Sequence, residues 1–522
     1  MRLLVRRSIV GAALIAASVL VACGGGGGGG GGDPSPPGTL AAVAVEGGPT
    51  PAGGTFAPFE PTTLLSAADG GWVAFVADVV GGTTPTGLFV VRPNGSLVLV
   101  YREGETVPAT AGATGTIDEF TRIWMRPDGV VVAFVEIAGG STAGVLTAQV
   151  DSAGAVGSKA TAIHYGRTLA QGNSVSVPGA LTLLEGDLIE ISDFGNVYFV
   201  GVDDGGTPLH GVWAVKADGT DLTAVAVTND PVNDVASGTI GVLGFDFNGL
   251  GIDQNGLLVA FSCSVVGGAT EALIVTRGNG FAVLARNGTS PPSAGGREFD
   301  DVYDDGPIVV GYDGNASGVV TWRGALDGGA PEHGIFTRTM SVSGSGLITL
   351  GSLNDVVLPG ESIAGTNGLA GASRILQGQD DPARWPIEVL VVGGNTDRVF
   401  LSAPNKDTLT QVFGQGRVAP GTDSTFQNNY PSLDHENDDA QSRDGSFAFT
   451  AVLVDGSTGV WWPRFGADFF DIALEGAVAP GTGGGTFGSF AIASTVSVGI
   501  DVLAFRAAIV GGTTATAIFR QG

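Results

Sequence analysis

The sequence predicts an all-β protein, an eight-bladed β-propeller of four-stranded antiparallel blades whose ring closes by pairing of its N- and C-terminal strands. Three observations carry this prediction. A unit of roughly 60 residues recurs along the chain, its central strands are apolar on both faces, and the last unit stops one strand short while the first is preceded by a spare one.

The recurring unit begins with a turn followed by an aromatic-bearing strand: DGGWVAFVAD, PDGVVVAFVE, DFGNVYFVGV, QNGLLVAFSC, NASGVVTWRG, RDGSFAFTAV and VGIDVLAFRA. The aromatic markers are Phe75, Phe134, Phe199, Phe261, Trp322, Phe449 and Phe505. They stand roughly 60 residues apart, except for one gap of about twice that length. There PIEVLVVGGNTDRVFL, from Pro386, supplies a degenerate eighth copy. Repeats start near residues 47, 104, 166, 230, 287, 354, 416 and 476.

After each marker comes a second strand, as in GLFVV, GVWAV, GIFTR and GVWWP, then a tight turn such as RPNG or KADG. Asn-Gly and Asp-Gly suit these hairpins because both central turn residues need positive φ. A third strand follows (SLVLVYREG, TDLTAVAVTND, FFDIALEG), and a Pro/Gly loop such as VAPGTGGGTF leads into the next unit.

In GWVAFVA, Trp72, Ala74 and Val76 point one way and Val73, Phe75 and Ala77 the other. Both faces therefore need burial. Radially stacked sheets supply it, because each blade is sandwiched between two neighbours. A membrane barrel would need polar inward faces. Tandem sandwiches would need linkers, and an open solenoid would need capping repeats. At the ends, TLAAVAVEGG at residues 39–48 has the form of a third strand, and TTATAIFRQG at 513–522 lacks one. Leu40 to Val45 is therefore expected to pair with Ala517 to Arg520, removing an exposed edge.

Glycine is 88 of 522 residues while the hydrophobic fraction is an ordinary 43%. This is neither collagen nor disorder. A net charge of −27 argues against nucleic acid as a partner, since phosphate backbones are gripped by clustered Lys and Arg. Cys263 alternates onto the same face as Phe261 and reads as a small buried hydrophobe.

MRLLVRRSIVGAALIAASVLVAC has a basic start, an apolar run and small residues before its cysteine, the form of a secretory leader. It resembles bacterial lipoprotein precursors, with Leu20, Val21, Ala22 and Cys23 matching their lipobox. The resemblance implies cleavage before Cys23, leaving residues 1–22 as signal peptide, and acylation of Cys23, so that membrane lipid becomes a partner. Gly24, where enteric lipoproteins retained at the inner membrane carry Asp, implies the outer membrane. Residues 23–38, nine glycines and DPSPPG, form a tether with a reach of roughly 20 to 25 Å, and residues 39–522 form the propeller. The export route stays open between the general and twin-arginine pathways, Arg6 and Arg7 fitting the latter in part.

The repeats also resemble a group of bacterial tandem-repeat propeller proteins in which a PGTGGTF-type loop alternates with a DGxVAF-type strand, seen here at Pro480 to Phe487 and Pro420 to Phe426. That pattern is specific as a repeat and says little about activity. Motifs carrying chemistry are sparse. His210 and His333 stand at equivalent positions, in PLHGVW and PEHGIF, while His164 and His435 lack any partner at ligand spacing. GESIAG from Gly360 has alanine where a nucleophile elbow needs its second glycine. No cofactor is predicted. The acidic loops FDDVYDDG, with Asp300 and Asp304, and DHENDDA, with Asp434, Glu436 and Asp438, are the calcium candidates, since calcium takes six to eight oxygens.

The expectation is thus a lipid-anchored binding or scaffolding module at the cell envelope, with an unidentified protein or glycan partner. The alternatives are an envelope glycan lyase or hydrolase using acidic loop residues, and an outer-membrane assembly factor. An enzyme calls for converging carboxylates, His or Arg with displaced pKa values, and a binder for an apolar patch on one face.

Overall fold

β-branched and aromatic runs punctuated by Gly turns build short antiparallel strands throughout the described part of the chain. The computed structural model describes residues 39–82, 85–153, 155–169, 180–203, 209–232, 238–241, 249–266, 271–278, 280–292, 294–303, 308–312, 314, 316–328, 333–363, 368–375, 386–392, 398–402, 410–427, 447–463, 469–490, 496–499 and 501–522.

The strands group into eight blades arranged in a ring. From the inside outward, blade one is Leu65–Ala68, Trp72–Val80, Thr86–Val91 and Leu97–Arg102, with Thr55–Phe56 on the far end of Trp72–Val80. Blade two is Thr116–Met125, Val130–Ala138, Ala143–Val150 and Val156–His164, and blade three Leu181–Ile191, Asn196–Asp203, Leu209–Lys216 and Thr223–Val227. Blade four is Leu250–Ile252, Val259–Cys263, Ala272–Thr276 and Phe281–Arg286, beside a small ladder of Thr239–Ile240 with Val265–Val266. In blade five Phe299–Asp301 and Val309–Tyr312 both pair with Ser317–Leu326, followed by His333–Val342 and Ile348–Val357. Blade six runs Ser362–Ile363, Gly368–Ile375, Pro386–Val392, Arg398–Ser402 and Thr410–Gly414, and blade seven Phe449–Val452, Thr458–Pro463 and Phe469–Leu474. Blade eight holds Thr486–Phe487 and Val496–Val498 beside Leu503–Val510, then Thr516–Gln521, and its outermost strand is Ala41–Val45 from the other end of the chain.

That closing pair has Ala41 opposite Arg520, Ala42 opposite Phe519, Ala44 opposite Ile518 and Val45 opposite Ala517, with a register shift between Ala42 and Ala44. The ring is latched as its termini suggest. Arg520 reinforces the seam by donating to the carbonyls of Gly71 and Arg92 in blade one, at 2.8 and 2.9 Å.

The core lies between blades. Val502, Ala504 and Ile518 of blade eight pack on Val73, Phe75 and Phe89 of blade one, whose other face sets Leu88, Val90 and Tyr101 against Ile123, Val131 and Ala133 of blade two. Similar clusters join blades two and three, three and four, four and five, five and six, and seven and eight. This is the two-sided burial demanded by strands apolar on both faces. One marker is out of phase: in blade two the aromatic stands four positions after Val130, which closes the inner hairpin, whereas in blade one it stands three after Trp72. Ala133 therefore faces blade one and half-buried Phe134 faces blade three. A one-residue offset in a strand exchanges its faces.

Each blade opens with the same backbone clip. The N–H of a corner residue donates to the carbonyl of an apolar residue ahead: Gly47 to Phe56, Gly104 to Ile117, Gly166 to Leu181, Asn229 to Ile240, Gly288 to Phe299, Gly360 to Ala370, Gly416 to Phe426 and Gly476 to Phe487, all at 2.7–3.0 Å. The corner has φ of 74–84°, which explains glycine at seven positions and asparagine at the eighth. In blade five the outer strand runs on through Asn354 and Asp355 to Val357, so the next clip comes at Gly360. The ring thus has two unlike faces. Hairpin turns such as Arg126–Gly129 lie on the turn face, where the described chain also enters at residue 39, and the clips lie on the clip face.

Candidate functional site

On the clip face of six blades the third strand starts with a polar residue followed by a small one: Thr86-Gly87, His210-Gly211, Glu271-Ala272, His333-Gly334, Thr458-Gly459 and Thr516-Ala517. Thr516 and Thr458 staple neighbouring blades together. The Thr516 hydroxyl accepts from the Phe59 N–H of blade one at 2.9 Å and donates to Glu46 at 3.2 Å. Thr458 likewise accepts from Phe490 N–H of blade eight at 2.8 Å and donates to Glu475 at 2.8 Å. Small neighbours leave room for this approach.

In blade four Glu271 stands at this position. Its carboxyl is bonded to Asn287 and Asp301, and the Val302 N–H of blade five donates to Asn287 Oδ1 at 3.0 Å. Val302 in FDDV takes the place of Phe59 in FAPF and Phe490 in FGSF. Burial first, and then the Asp301 carboxylate, push the Glu271 pKa up to about 8. The raised pKa favours the protonated form of Glu271, and its neighbour Asp301 accepts from Tyr303 N–H at 3.2 Å. Cys263 sits nearby, fully buried, its thiol pushed up by burial and then by Glu271. It stays a thiol, and a thiol is a poor nucleophile. In blade three burial lowers the pKa of His210.

Two carboxyls sharing a proton suggest acid–base chemistry, but their direct bond argues otherwise. Glycosidase carboxyls stand about 5 Å or more apart, with the sugar between them, whereas Glu271 and Asp301 meet across a blade junction. Alignment of the third-strand starts was the signal that would have located Glu271, since a carboxylate replaces the recurring threonine or histidine.

Of the calcium candidates, Asp300 is exposed beside Asp301. Asp304, Asp434, Glu436 and Asp438 lie outside the described residues, as do Leu20, Val21, Ala22, Cys23 and His435. Among the described residues no group of three or more His, Cys, Asp or Glu is placed to hold a metal. The His164 ring lies within hydrogen-bonding distance of the carbonyls of Ala111 and Tyr165, at 3.0 and 2.6 Å, and so pins the 105–115 loop to blade two.

The clip face carries a second repeated feature. The PGTGGTF-type loop folds back so that Val478 pairs with Thr486 and Thr486 with Val510. In blade seven Val418 pairs with Thr425, whose carbonyl accepts from Val454 N–H. Pro49, Thr55 and Val80 form the same row in blade one, and Pro231, Thr239 and Val266 in blade four. Directly paired residues share a face. Here that face is open: Val80, Val266, Val418, Val454, Val478 and Val510 are 60–74% exposed, on strands whose centres are fully buried. Blades seven, eight and one are consecutive, so their rows adjoin. The signal was present in VAPGT and TF, as a valine before APGT and a threonine before the closing phenylalanine.

The fold defines the class, a β-propeller. No protein-family model and no curated protein matches the chain. Among solved structures it is similar to the β-propeller domain of the Trilobed protease from Pyrococcus furiosus, with 8% identity and a TM-score of 0.36 over 78% of this chain and 95% of that one. It is also similar to prolyl oligopeptidase B from Galerina marginata (11%, TM-score 0.38, over 86% of this chain and 56% of that one) and to the polysaccharide lyase Uly1 (11%, TM-score 0.35, over 88% and 89%).

Proposed function

We propose that this propeller is a lipid-anchored binding or scaffolding module of the bacterial cell envelope, held at the outer membrane through acylated Cys23 and engaging a protein partner on its clip face. The observation that carries the binding reading is the set of exposed valine rows on blades seven, eight and one. Apolar side chains gathered on one face are costly to leave in water, and such patches mark interaction surfaces. The described chain enters on the opposite, turn face.

The two halves of the proposal are tested separately. Mass spectrometry of the N-terminal peptide should find acylated Cys23, and Cys23→Ser should release the protein from membranes. A photo-crosslinking residue at Val454 or Val478 should give one discrete adduct in intact cells, and one at Asn94, exposed on the turn face, should not. Adducts from neither face, or equally from both, would overturn the binding reading while leaving the anchor intact.

A further inference from the structure

Blade six adds a fourth row to those of blades seven, eight and one: Ser362 pairs with Leu369 and Leu369 with Val392, and all three are exposed. Four consecutive blades thus present aliphatic side chains on the clip face. Polar rows bound this arc. In blade two the same positions are Thr106, Thr116 and Ala138, and in blade five they include Glu298 and Asp327, joined by an Asp327 N–H to Glu298 carbonyl bond at 2.9 Å.

Carboxylates border the apolar rows. On the strands and loops that carry the rows of blades seven, eight and one stand Glu46, Asp78, Asp423, Asp455 and Glu475, against one exposed arginine, Arg417, among the described residues. Asp78 shares a strand face with Val80, two positions away. Asp455 follows Val454 directly, and Asp423 lies in the loop between Val418 and Thr425. Hydroxyls bond four of the five: Thr86 to Asp78, Ser457 to Asp455, Thr516 to Glu46 and Thr458 to Glu475. None is ion-paired within the described residues, and a hydroxyl leaves a carboxylate's charge in place.

The form of a partner follows from the backbone. Within a row the short strands pair with one another, and Pro49, with no N–H to give, ends the row of blade one. What a partner meets is therefore side chains rather than an open ladder. A row of three strands is about 10 Å across. That is near the width of an α-helix, which satisfies its own backbone hydrogen bonds.

We propose that the arc receives a cationic amphipathic helix, an inference that rests on the reading of the clip face as a protein-binding surface. The helix lays its apolar stripe on Val454, Val478 and Val510, and lysines or arginines flanking that stripe meet Asp455, Asp78 and Glu475. Apolar contact supplies affinity, and charge selects the partner.

The probe is a fluorescein-labelled amphipathic peptide of leucine and lysine, four helical turns long, titrated by anisotropy against the full chain. A leucine–glutamate peptide of the same pattern and an order-scrambled leucine–lysine peptide are the controls. The patterned lysine peptide should bind, more weakly as salt rises, and both controls should bind less. The exposed changes Val454→Ser and Val478→Ser together should weaken binding by about fivefold or more, whereas Val266→Ser, on the separate row of blade four, should leave it unchanged. Equal binding of either control, or no effect of the double variant, would overturn the helix. Sedimentation of the protein as a dimer that the double variant dissociates would replace it with a second copy of this chain. Peptide failure alongside a crosslinked adduct at Val478 in cells would remove the helix alone, and failure of both would remove the reading beneath it.

Discussion

Blades seven, eight and one and blades three, four and five solve the same problem with different chemistry. In the first group the residue that opens the third strand is Thr458, Thr516 or Thr86, and Thr458 and Thr516 each accept a hydrogen bond from a backbone N–H of the next blade and donate one to a glutamate. In the second it is His210, Glu271 or His333. Folding raises the pKa of Glu271 and lowers that of His210, so pH is expected to act through this position in blades three and four. The same comparison separates the surfaces, since adjoining valine rows occur only in the threonine group among the described residues. Shape repeats in every blade, and side-chain chemistry divides the ring into sectors.

The largest effect tests whether the threonine sector depends on closure. Deleting residues 39–46 removes the outermost strand of blade eight, together with Ala44 from the junction with blade one and Glu46 from the Thr516 staple. A loss of roughly 5 kcal/mol is expected, by the sum of strand pairing and core contacts, seen as a lower Tm and aggregation through the exposed edge of Thr516–Gln521. The deleted segment added as a peptide should restore Tm. Unchanged stability would mean that the ring is held without its latch.

Next in size is Thr516→Val, which keeps volume and removes the acceptor of the buried Phe59 N–H. An unsatisfied buried donor costs about 1–3 kcal/mol. Urea denaturation should show that loss, with a similar one for Thr458→Val. If both variants are as stable as the parent, the staple is not what joins these blades.

The closure and the blade count were legible because they rest on backbone needs that restrict residue type. Positive φ at the clip corners calls for glycine or asparagine, hairpins call for Asn-Gly or Asp-Gly, and strands buried on both sides have few polar residues at their centres. The phase of Phe134 was not legible, because DGVVVAF and DGGWVAF space turn and aromatic alike and only neighbouring blades show which face each side chain meets. Asp301 stood out as part of an acidic run. Its partner Glu271 lies thirty positions earlier in the chain, and only the junction of blades four and five brings the two together. The valine rows were written in the repeated loop, but sequence alternation cannot tell a valine that ends a buried strand from one that extends past its neighbours.

Glu271→Thr converts the responsive sector into the other kind. Because folding raises the Glu271 pKa from an ordinary value near 4.5 to about 8, its contribution is fully present below pH 4.5 and is lost as pH rises through 8. The parent should therefore lose stability across that window, by about 1–2 kcal/mol once the partial exposure of the group is allowed for. The variant should show a flatter Tm between pH 5 and pH 9, with its gain at the alkaline end. Identical profiles for the two proteins would remove the acid pair as the source of the response.

His210→Thr should have the smallest effect, and its sign is opposite. Burial lowers the His210 pKa from its ordinary 6.5, so the stability it permits is present above pH 6.5 and is lost as pH falls through the lowered folded value. His210 is buried, and one imidazole whose pKa is lowered by burial alone is expected to change stability by about 1 kcal/mol or less. Parent and variant should have matching Tm at pH 8 and diverge below pH 6, with the variant the more stable. Combined with Glu271→Thr, the two changes should approximately add, since they act at separate junctions. Divergence at pH 8 instead would show that His210 contributes through packing beside Thr228 rather than through its proton.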